Sequence, residues 1–201
     1  MPSFGIVLLA AGGSTRMGSP KQLLPYRGRP LLRHATEVAL AAECGPVIVV
    51  LGSQPDEIAL ALAGLPVEMV VNPRWEEGMG TSIHAGVEAA QSRGLDGIIL
   101  GLGDQPLVTA GLLNRLVREH LRTGQPIIAS AYAGTVGVPV FFSRKFFPPL
   151  MELKPEQGCK GLILKHEDQA ILLDCPQAEA DIDTPDEYAR LASTVPAPPA
   201  T

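Results

Sequence analysis

The segment 5–32 constrains this chain more than any other. It reads GIVLLAAGGSTRMGSPKQLLPYRGRPLL. An apolar run from Ile6 to Ala11 passes directly into Gly12 and Gly13. Arg16, Gly18 and Lys21 follow, in a stretch too rich in Gly, Ser and Pro for a helix. A buried strand that empties into a basic, glycine-rich loop suits a triphosphate, because backbone N–H groups and cationic side chains can then meet one anion. The charge distribution points the same way. No acid precedes Glu37, whereas Arg16, Lys21, Arg27, Arg29 and Arg33 all do, so a chain of net charge −5 opens with +5 and carries −10 in the remainder. The same residues also read as a Gly-rich turn with solvated basic side chains.

Alternation of apolar runs with helix-like stretches sets the fold class. Strands are expected at 6–10, 46–51, 67–71, 97–102, 126–131, 138–142 and 170–173. Helices are expected at 30–43, 56–63, 80–93, 109–122 and 185–192, with shorter pieces at 145–153 and 159–166. Continuous apolar strands alternating with helices imply an α/β fold with a mostly parallel sheet covered on both faces. One domain over 1–194 is expected, followed by a Pro/Ala-rich disordered tail from 195 (VPAPPAT). Ligands bind such sheets at the carboxyl ends of strands. Two motifs fall there, the glycine loop and Gly101-Leu102-Gly103-Asp104.

Composition excludes several classes. The 201 residues are 46% hydrophobic, ample for a core, but the apolar runs are short and interrupted, so no membrane span is expected. The N-terminus shows neither a basic leader region nor a cleavage site, so no signal peptide is expected. Cys44, Cys159 and Cys175 are odd in number and widely spaced, fitting neither a disulfide framework nor a C-x-x-C metal site; a cytoplasmic location is expected. A pI near 5.4 argues against nucleic acid as the main partner. The four histidines show no metal spacing, so no zinc is expected.

Two familiar phosphate motifs fail here. Gly13 to Gly18 has the P-loop glycine spacing, but Ser19-Pro20 stands where Lys-Ser/Thr is required. Gly12, Gly13 and Gly18 miss the G-x-G-x-x-G dinucleotide spacing, which disfavours a nicotinamide or flavin site. What remains is a longer loop that carries its own Arg and Lys. Residues 9–25, LAAGGSTRMGSPKQLLP, resemble the signature of the molybdopterin nucleotidylyltransferase (MobA-like) superfamily. They are most similar to the molybdenum cofactor cytidylyltransferases (MocA-like). Ala10-Ala11-Gly12 favours the cytidylyl branch over the guanylyl branch, which typically reads L-A-G-G. The resemblance implies a three-layer α/β/α domain of the nucleotide-diphospho-sugar transferase type, with a Rossmann-like sheet. It implies nucleotide contacts from Leu9, Ala10, Ala11, Gly12, Gly13, Arg16 and Lys21, with Arg16, Lys21 and Asp104 in the catalytic role.

The carboxylates come next. Asp104, at the end of an apolar strand, is placed either for Mg²⁺ or as a loop residue or cap for the helix at Thr109. The segment Gly103-Asp104-Gln105-Pro106 resembles the family's metal motif, which implies Mg²⁺ on Asp104. Asp181-Ile182-Asp183-Thr184-Pro185 places two acids two apart on an extended segment. There Asp183 or Thr184 is also placed to cap the helix at Pro185. By resemblance to the family's closing motif, Asp183 is the second metal ligand and Asp181 a supporting residue near the acceptor.

Three further segments carry weaker signals. In residues 72–83, Gly78 and Gly80 permit close backbone approach and Thr81 or Ser82 is expected to cap the helix. Trp75 reads as a hydrophobic anchor for that loop in preference to a ring stacked on a base. The segment resembles a family motif lining the nucleotide or acceptor side, which adds Gly78, Ser82 and Gly103 to the nucleotide residues and leaves His84 a structural residue or phosphate contact. Gly137-Val138-Pro139 resembles a family segment near the acceptor. KPEQGCKGL (154–162) departs from the family's G-D-x-G-A-R, putting Lys160 where an arginine is expected. Lys keeps the charge but loses the bidentate fork. The implied activity is Mg²⁺-dependent transfer of CMP from CTP to molybdenum-bound molybdopterin, with a molybdenum hydroxylase as recipient of the product. The alternatives are a cofactor-carrying chaperone for such a hydroxylase, an oxidoreductase reusing the fold, or a nucleotidyltransferase with another phosphate acceptor.

Overall fold

The computed structural model describes residues 2–14, 18–179, 182 and 184–193. The expected tail from 195 lies outside them, as do Arg16, Asp181 and Asp183. The chain opens with β1 (Phe4–Ala10), apolar and buried along its whole length. A small hairpin, β2 (Pro25–Tyr26) and β3 (Arg29–Pro30), precedes α1 (Leu31–Leu40). There follow β4 (Val47–Leu51), α2 (Pro55–Ala61), β5 (Glu68–Val71), α3 (Met79–Ser92) and β6 (Gly97–Leu102). The remainder is α4 (Ala110–Thr123), β7 (Ile127–Tyr132), β8 (Thr135–Ser143), α5 (Phe147–Met151), α6 (Lys160–Lys165), β9 (Ala170–Asp174) and α7 (Pro185–Ser193).

Seven strands form one sheet in the order β5-β4-β1-β6-β8-β7-β9. β1 pairs in parallel with β4 on one side and β6 on the other. Only β8 runs against its neighbours. Alternation along β1 builds the layers. Ile6, Leu8 and Ala10 join a core with Leu32 and Ala39 of α1, Ile58 of α2 and Leu112 and Leu116 of α4. Val7 and Leu9 join the opposite core with Ile83 and Val87 of α3, Leu150 of α5 and Ile163 of α6. This is the three-layer, mostly parallel α/β/α architecture that the apolar runs imply. Among the described residues, no helix is long and apolar enough to cross a membrane.

The structure departs from expectation at several termini. α3 begins at Met79, with Gly78 at its cap position and no side-chain cap bond, so neither Thr81 nor Ser82 caps it. Both hydroxyls instead accept hydrogen bonds from the Asn72 carboxamide, at 2.9 and 3.0 Å. Thr109 caps α4 itself, its hydroxyl accepting from the Leu112 amide, so Asp104 is not needed there. Thr184 and Glu187 form a reciprocal capping box at α7, the Thr184 amide donating to the Glu187 carboxylate at 2.8 Å and the Glu187 amide to Thr184 Oγ1 at 3.3 Å. Capping therefore makes no demand on Asp183. The β2–β3 hairpin was not anticipated. Its two-residue turn places Arg27 and Gly28 both at positive φ, as a tight hairpin turn requires, but Arg-Gly is a weak turn signal.

A third, small core ties this hairpin to the far end of the chain. Tyr26 and Leu31 pack with Ile182, which is 1% exposed. The His34 ring meets the Tyr26 ring edge-on, at a centroid distance of 4.8 Å. Burial pushes the His34 imidazole below its usual value; the Pro106 carbonyl opposes this and Arg27 and Arg29 reinforce it. The unfolded chain therefore takes up this proton more readily than the folded one. The contribution of His34 to stability is complete above the unfolded value near ~6.5 and is lost as pH falls below it. Melting temperatures of wild type and His34→Gln between pH 8 and pH 5 check this: the wild type loses more stability on acidification, and parallel curves would remove His34 as the source.

Candidate active site

The carboxyl ends of β5, β4, β1 and β6 lie side by side, and the site is built on the loops that leave them. The chain runs outward from β1 through β4 to β5, then returns to place β6 on the other side of β1. Loops diverge at such a reversal and leave a crevice between them. The crevice has a volume of about 350 Å³. Leu9 to Gly12 and Lys21 with Gln22 line it from the β1 side, Leu102 to Asp104 from the β6 side, and Trp75, Gly78, Met79 and Ser82 close it from the loop after β5. Short backbone bonds fix these edges: the Gly103 amide donates to Leu9 at 3.0 Å and the Ser53 amide to Ala11 at 3.1 Å.

Lys21 and Asp104 meet across this crevice as an ion pair through Asp104 Oδ2, with both side chains largely buried. The other oxygen, Oδ1, is buried and has no hydrogen-bond partner. A carboxylate oxygen buried without a donor is costly unless a cation or donor arrives to meet it. Thus Asp104 offers a hard oxygen ligand in a crevice also lined by Gly12 of the glycine loop. Among the described residues, no three acidic, histidine or cysteine side chains cluster to enclose a metal.

The glycine loop has a side chain beneath it that sequence reasoning missed. Gln22 is 4% exposed. Its Nε2 donates to the carbonyls of Ala10 and Gly12, both at 2.9 Å. Its Oε1 accepts from the Ser14 hydroxyl at 3.3 Å, and Ser14 Oγ accepts from the Lys21 amide at 3.0 Å. A Gln between a Lys and two Leu residues carries no motif signal, so only the folded loop reveals it. Asn72 is the second such residue, also 4% exposed. Besides binding Thr81 and Ser82, it accepts from the Arg74 amide at 2.9 Å and so shapes the turn before α3. Gln105 is the third; its Nε2 donates to Ala178 at 2.7 Å, tying the Asp104 turn to the segment before the closing acidic motif.

Trp75 joins the loops. Its ring lies over Gly13 so closely that a Cβ there would sit 2.9 Å from two ring carbons, and its Cβ leaves no room for a side chain at Gly52. It is thus the anchor that its sequence context suggests, and also part of the crevice wall. Gly78, at φ 131°, presses on the Pro155 carbonyl, where a side chain would clash at 2.3 Å. The segment 154–158 consequently packs on the start of α3, with the Gly80 amide donating to Pro155 at 2.8 Å.

The expected site residues divide into three groups. Leu9, Ala10, Ala11, Gly12, Lys21, Gly78, Ser82, Gly103 and Asp104 line the one crevice, with Gly13 adjacent under Trp75. Arg16, Asp181 and Asp183 lie outside the described residues. Pro139 and Lys160 are elsewhere. Pro139 is buried in β8, its carbonyl accepting from the Ser130 hydroxyl at 2.6 Å, and it faces an interior gap rather than the crevice. Lys160 begins α6 and borders two surface grooves of about 520 and 790 Å³. His84 does not line the crevice either; its Nε2 is buried without a partner. Burial raises the Cys159 thiol to about 12 and the Cys44 thiol to about 11, so both stay protonated at neutral pH and neither is a nucleophile.

Comparison with known proteins agrees with this geometry. Residues 6–170 match the MobA-like NTP transferase domain. The purine catabolism protein PucB of Bacillus subtilis is 33% identical over 194 residues, covering 90% of this chain and 92% of PucB. The nicotine blue oxidoreductase of Paenarthrobacter nicotinovorans is 34% identical over 181 residues, covering 76% of this chain and 87% of that protein. Among solved structures, Rv0371c of Mycobacterium tuberculosis H37Rv superposes with a TM-score of 0.82 at 33% identity, over 96% of this chain and 98% of Rv0371c. The glycine loop, the Asp104 turn and the sheet that brings them together all fall inside the matched region, and the chain belongs to the MobA-like NTP transferase family of nucleotidyltransferases.

Proposed function

We propose that the protein transfers CMP from CTP to the terminal phosphate of molybdenum-bound molybdopterin, releasing pyrophosphate with a divalent metal, Mg²⁺, as cofactor. The observation that carries this reading is the Lys21–Asp104 pair facing the glycine loop, with Asp104 Oδ1 buried and unpartnered. CTP as donor rests on the similarity of residues 9–25 to the cytidylyltransferase signature. The acceptor rests on the same resemblance. A divalent metal draws support from an Rv0371c structure in complex with manganese, a protein 31% identical to this one. Asp104, with Asp183 as its proposed companion, would hold the ion. When bound, it neutralises phosphate charge and orients the α-phosphate.

The remaining chemistry falls to the chain itself. Amides of Gly12 and Gly13 and the ammonium of Lys21 bind the β- and γ-phosphates, with Arg16 as a further cation. A phosphate oxygen of the acceptor forms a bond to the α-phosphorus, the bond to the bridging β-oxygen breaks, and pyrophosphate leaves with that electron pair. The attacking phosphate is ionised at neutral pH, so no side chain need act as a strong base. Catalysis is then in-line positioning and charge stabilisation. Ser82, Gly78 and the apolar wall of Leu9, Ala10 and Leu102 hold the nucleoside end. The Lys160 grooves are the proposed acceptor side.

A second reading follows from the name of the Paenarthrobacter relative, an oxidoreductase. The loop lacks dinucleotide spacing, and titration with NADH and NADPH separates the two readings, since a nucleotidyltransferase binds neither.

Pyrophosphate release with CTP, GTP, ATP and UTP, each with Mg²⁺ and the molybdenum-bound pterin, tests the proposal. CTP should support turnover. Asp104→Asn should lower the rate by about 100-fold or more while keeping the fold; an unchanged rate would sink the metal assignment. Lys21→Ala should weaken triphosphate binding and slow turnover by about 100-fold; unaltered rate and affinity would remove Lys21 from the site.

A further inference from the structure

We infer that Gln22 is the positioning residue that forces the glycine loop into an anion cradle, and that affinity for the polyphosphate end of the ligand depends on its carboxamide. This deepens the nucleotidyltransferase reading and rests on it for the identity of the ligand. Gln22 lines the crevice beneath the loop, but its carboxamide is taken up by loop atoms. Its Nε2 uses both hydrogens, one on the Ala10 carbonyl and one on the Gly12 carbonyl. Two carbonyls on alternate residues are thereby drawn to the inner side of the loop. Carbonyl oxygens turned toward the crevice would repel phosphate; held inward, they leave that wall to N–H groups. Among the described residues, none accepts a hydrogen bond from the amides of Gly12 or Gly13.

The second half of the carboxamide extends the effect. Oε1 accepts from Ser14, whose backbone stands at φ 52°, a left-handed conformation unfavourable for a residue with a side chain. Ser14 Oγ in turn accepts from the Lys21 amide. One side chain therefore links Ala10, Gly12 and Ser14 and, through Ser14, the backbone of Lys21, which pairs with Asp104. Its closest isosteres do not reproduce this: Glu would set a carboxylate against two carbonyls, Met has no donor, and Asn is one methylene shorter. Gln22 itself is buried, as is its bond to Ala10, so water does not replace that bond without opening the loop.

The test compares wild type, Gln22→Met, Gln22→Glu and Ser14→Ala in binding CTP with Mg²⁺, CMP and inorganic tripolyphosphate, alongside thermal melts. Gln22→Met should weaken CTP and tripolyphosphate by about tenfold or more, the equivalent of about 1.4 kcal/mol, and leave CMP within about twofold. Gln22→Glu should be weaker still, and Ser14→Ala should lose about threefold. Ser14→Ala removes only the outer link, so it tests the network even if Gln22→Met melts at room temperature. Equal losses for CTP and CMP, or triphosphate affinity unchanged in all three variants, would overturn the proposal. Tripolyphosphate binding that depends on Gln22 without CTP binding would support the cradle and overturn the nucleotide reading instead. Wild-type protein that binds neither would overturn both.

Discussion

Everything at the site depends on β1 running through the middle of the sheet, in parallel register with β4 on one side and β6 on the other. Because parallel neighbours end on the same edge, the glycine loop, Gly52, and the Gly103–Asp104 turn are delivered together without any loop having to travel. The hydrophobic effect supplies the rigidity. Ile6 and Val7 are fully buried on opposite faces, so a slip of β1 by one residue would exchange two complete cores. The crevice is therefore anchored to the least deformable part of the molecule.

On that frame the chain arranges polar groups at some cost. Asp104 keeps an unpartnered buried oxygen, Ser14 and Gln54 stand at positive φ, and three carboxamides, Gln22, Asn72 and Gln105, are buried to hold loops rather than to fill the core. Buried carboxamides of this kind add little net stability but specify one backbone shape. Gln22 lines the crevice, while Asn72 and Gln105 hold loops that reach its walls at Ser82 and Asp104. In this crevice the basic opening segment meets the acidic remainder at Lys21 and Asp104.

How much of this the sequence disclosed depends on how local the signal was. The buried strands were legible because β1, β4 and β6 are unbroken apolar runs, and the glycine loop because failed P-loop and dinucleotide spacings left few alternatives. Convergence of Lys21 with Asp104 followed from parallel topology. The helix cap at Thr81 or Ser82 was misread because Asn72, ten residues upstream of Ser82, takes those hydroxyls by a tertiary bond. Gln22 was invisible for the same reason: its partners are backbone carbonyls, which leave no mark on side-chain pattern. Pro139 matched a motif yet faces inward, since the strand carrying it is buried on both sides. Local motifs thus pointed to residues that share one crevice, while the residues that shape it were set by contacts no spacing rule encodes.

The central claim is that this crevice is a divalent-metal and triphosphate site, and a ligand that binds only the folded state must raise its apparent stability. Thermal denaturation with each nucleoside triphosphate, in the presence of Mg²⁺ or of chelator, measures this directly. The account predicts a rise in melting temperature with CTP, larger with Mg²⁺ than with chelator, and little or no rise with cytidine. A melting temperature unmoved by every triphosphate, with or without metal, would contradict it.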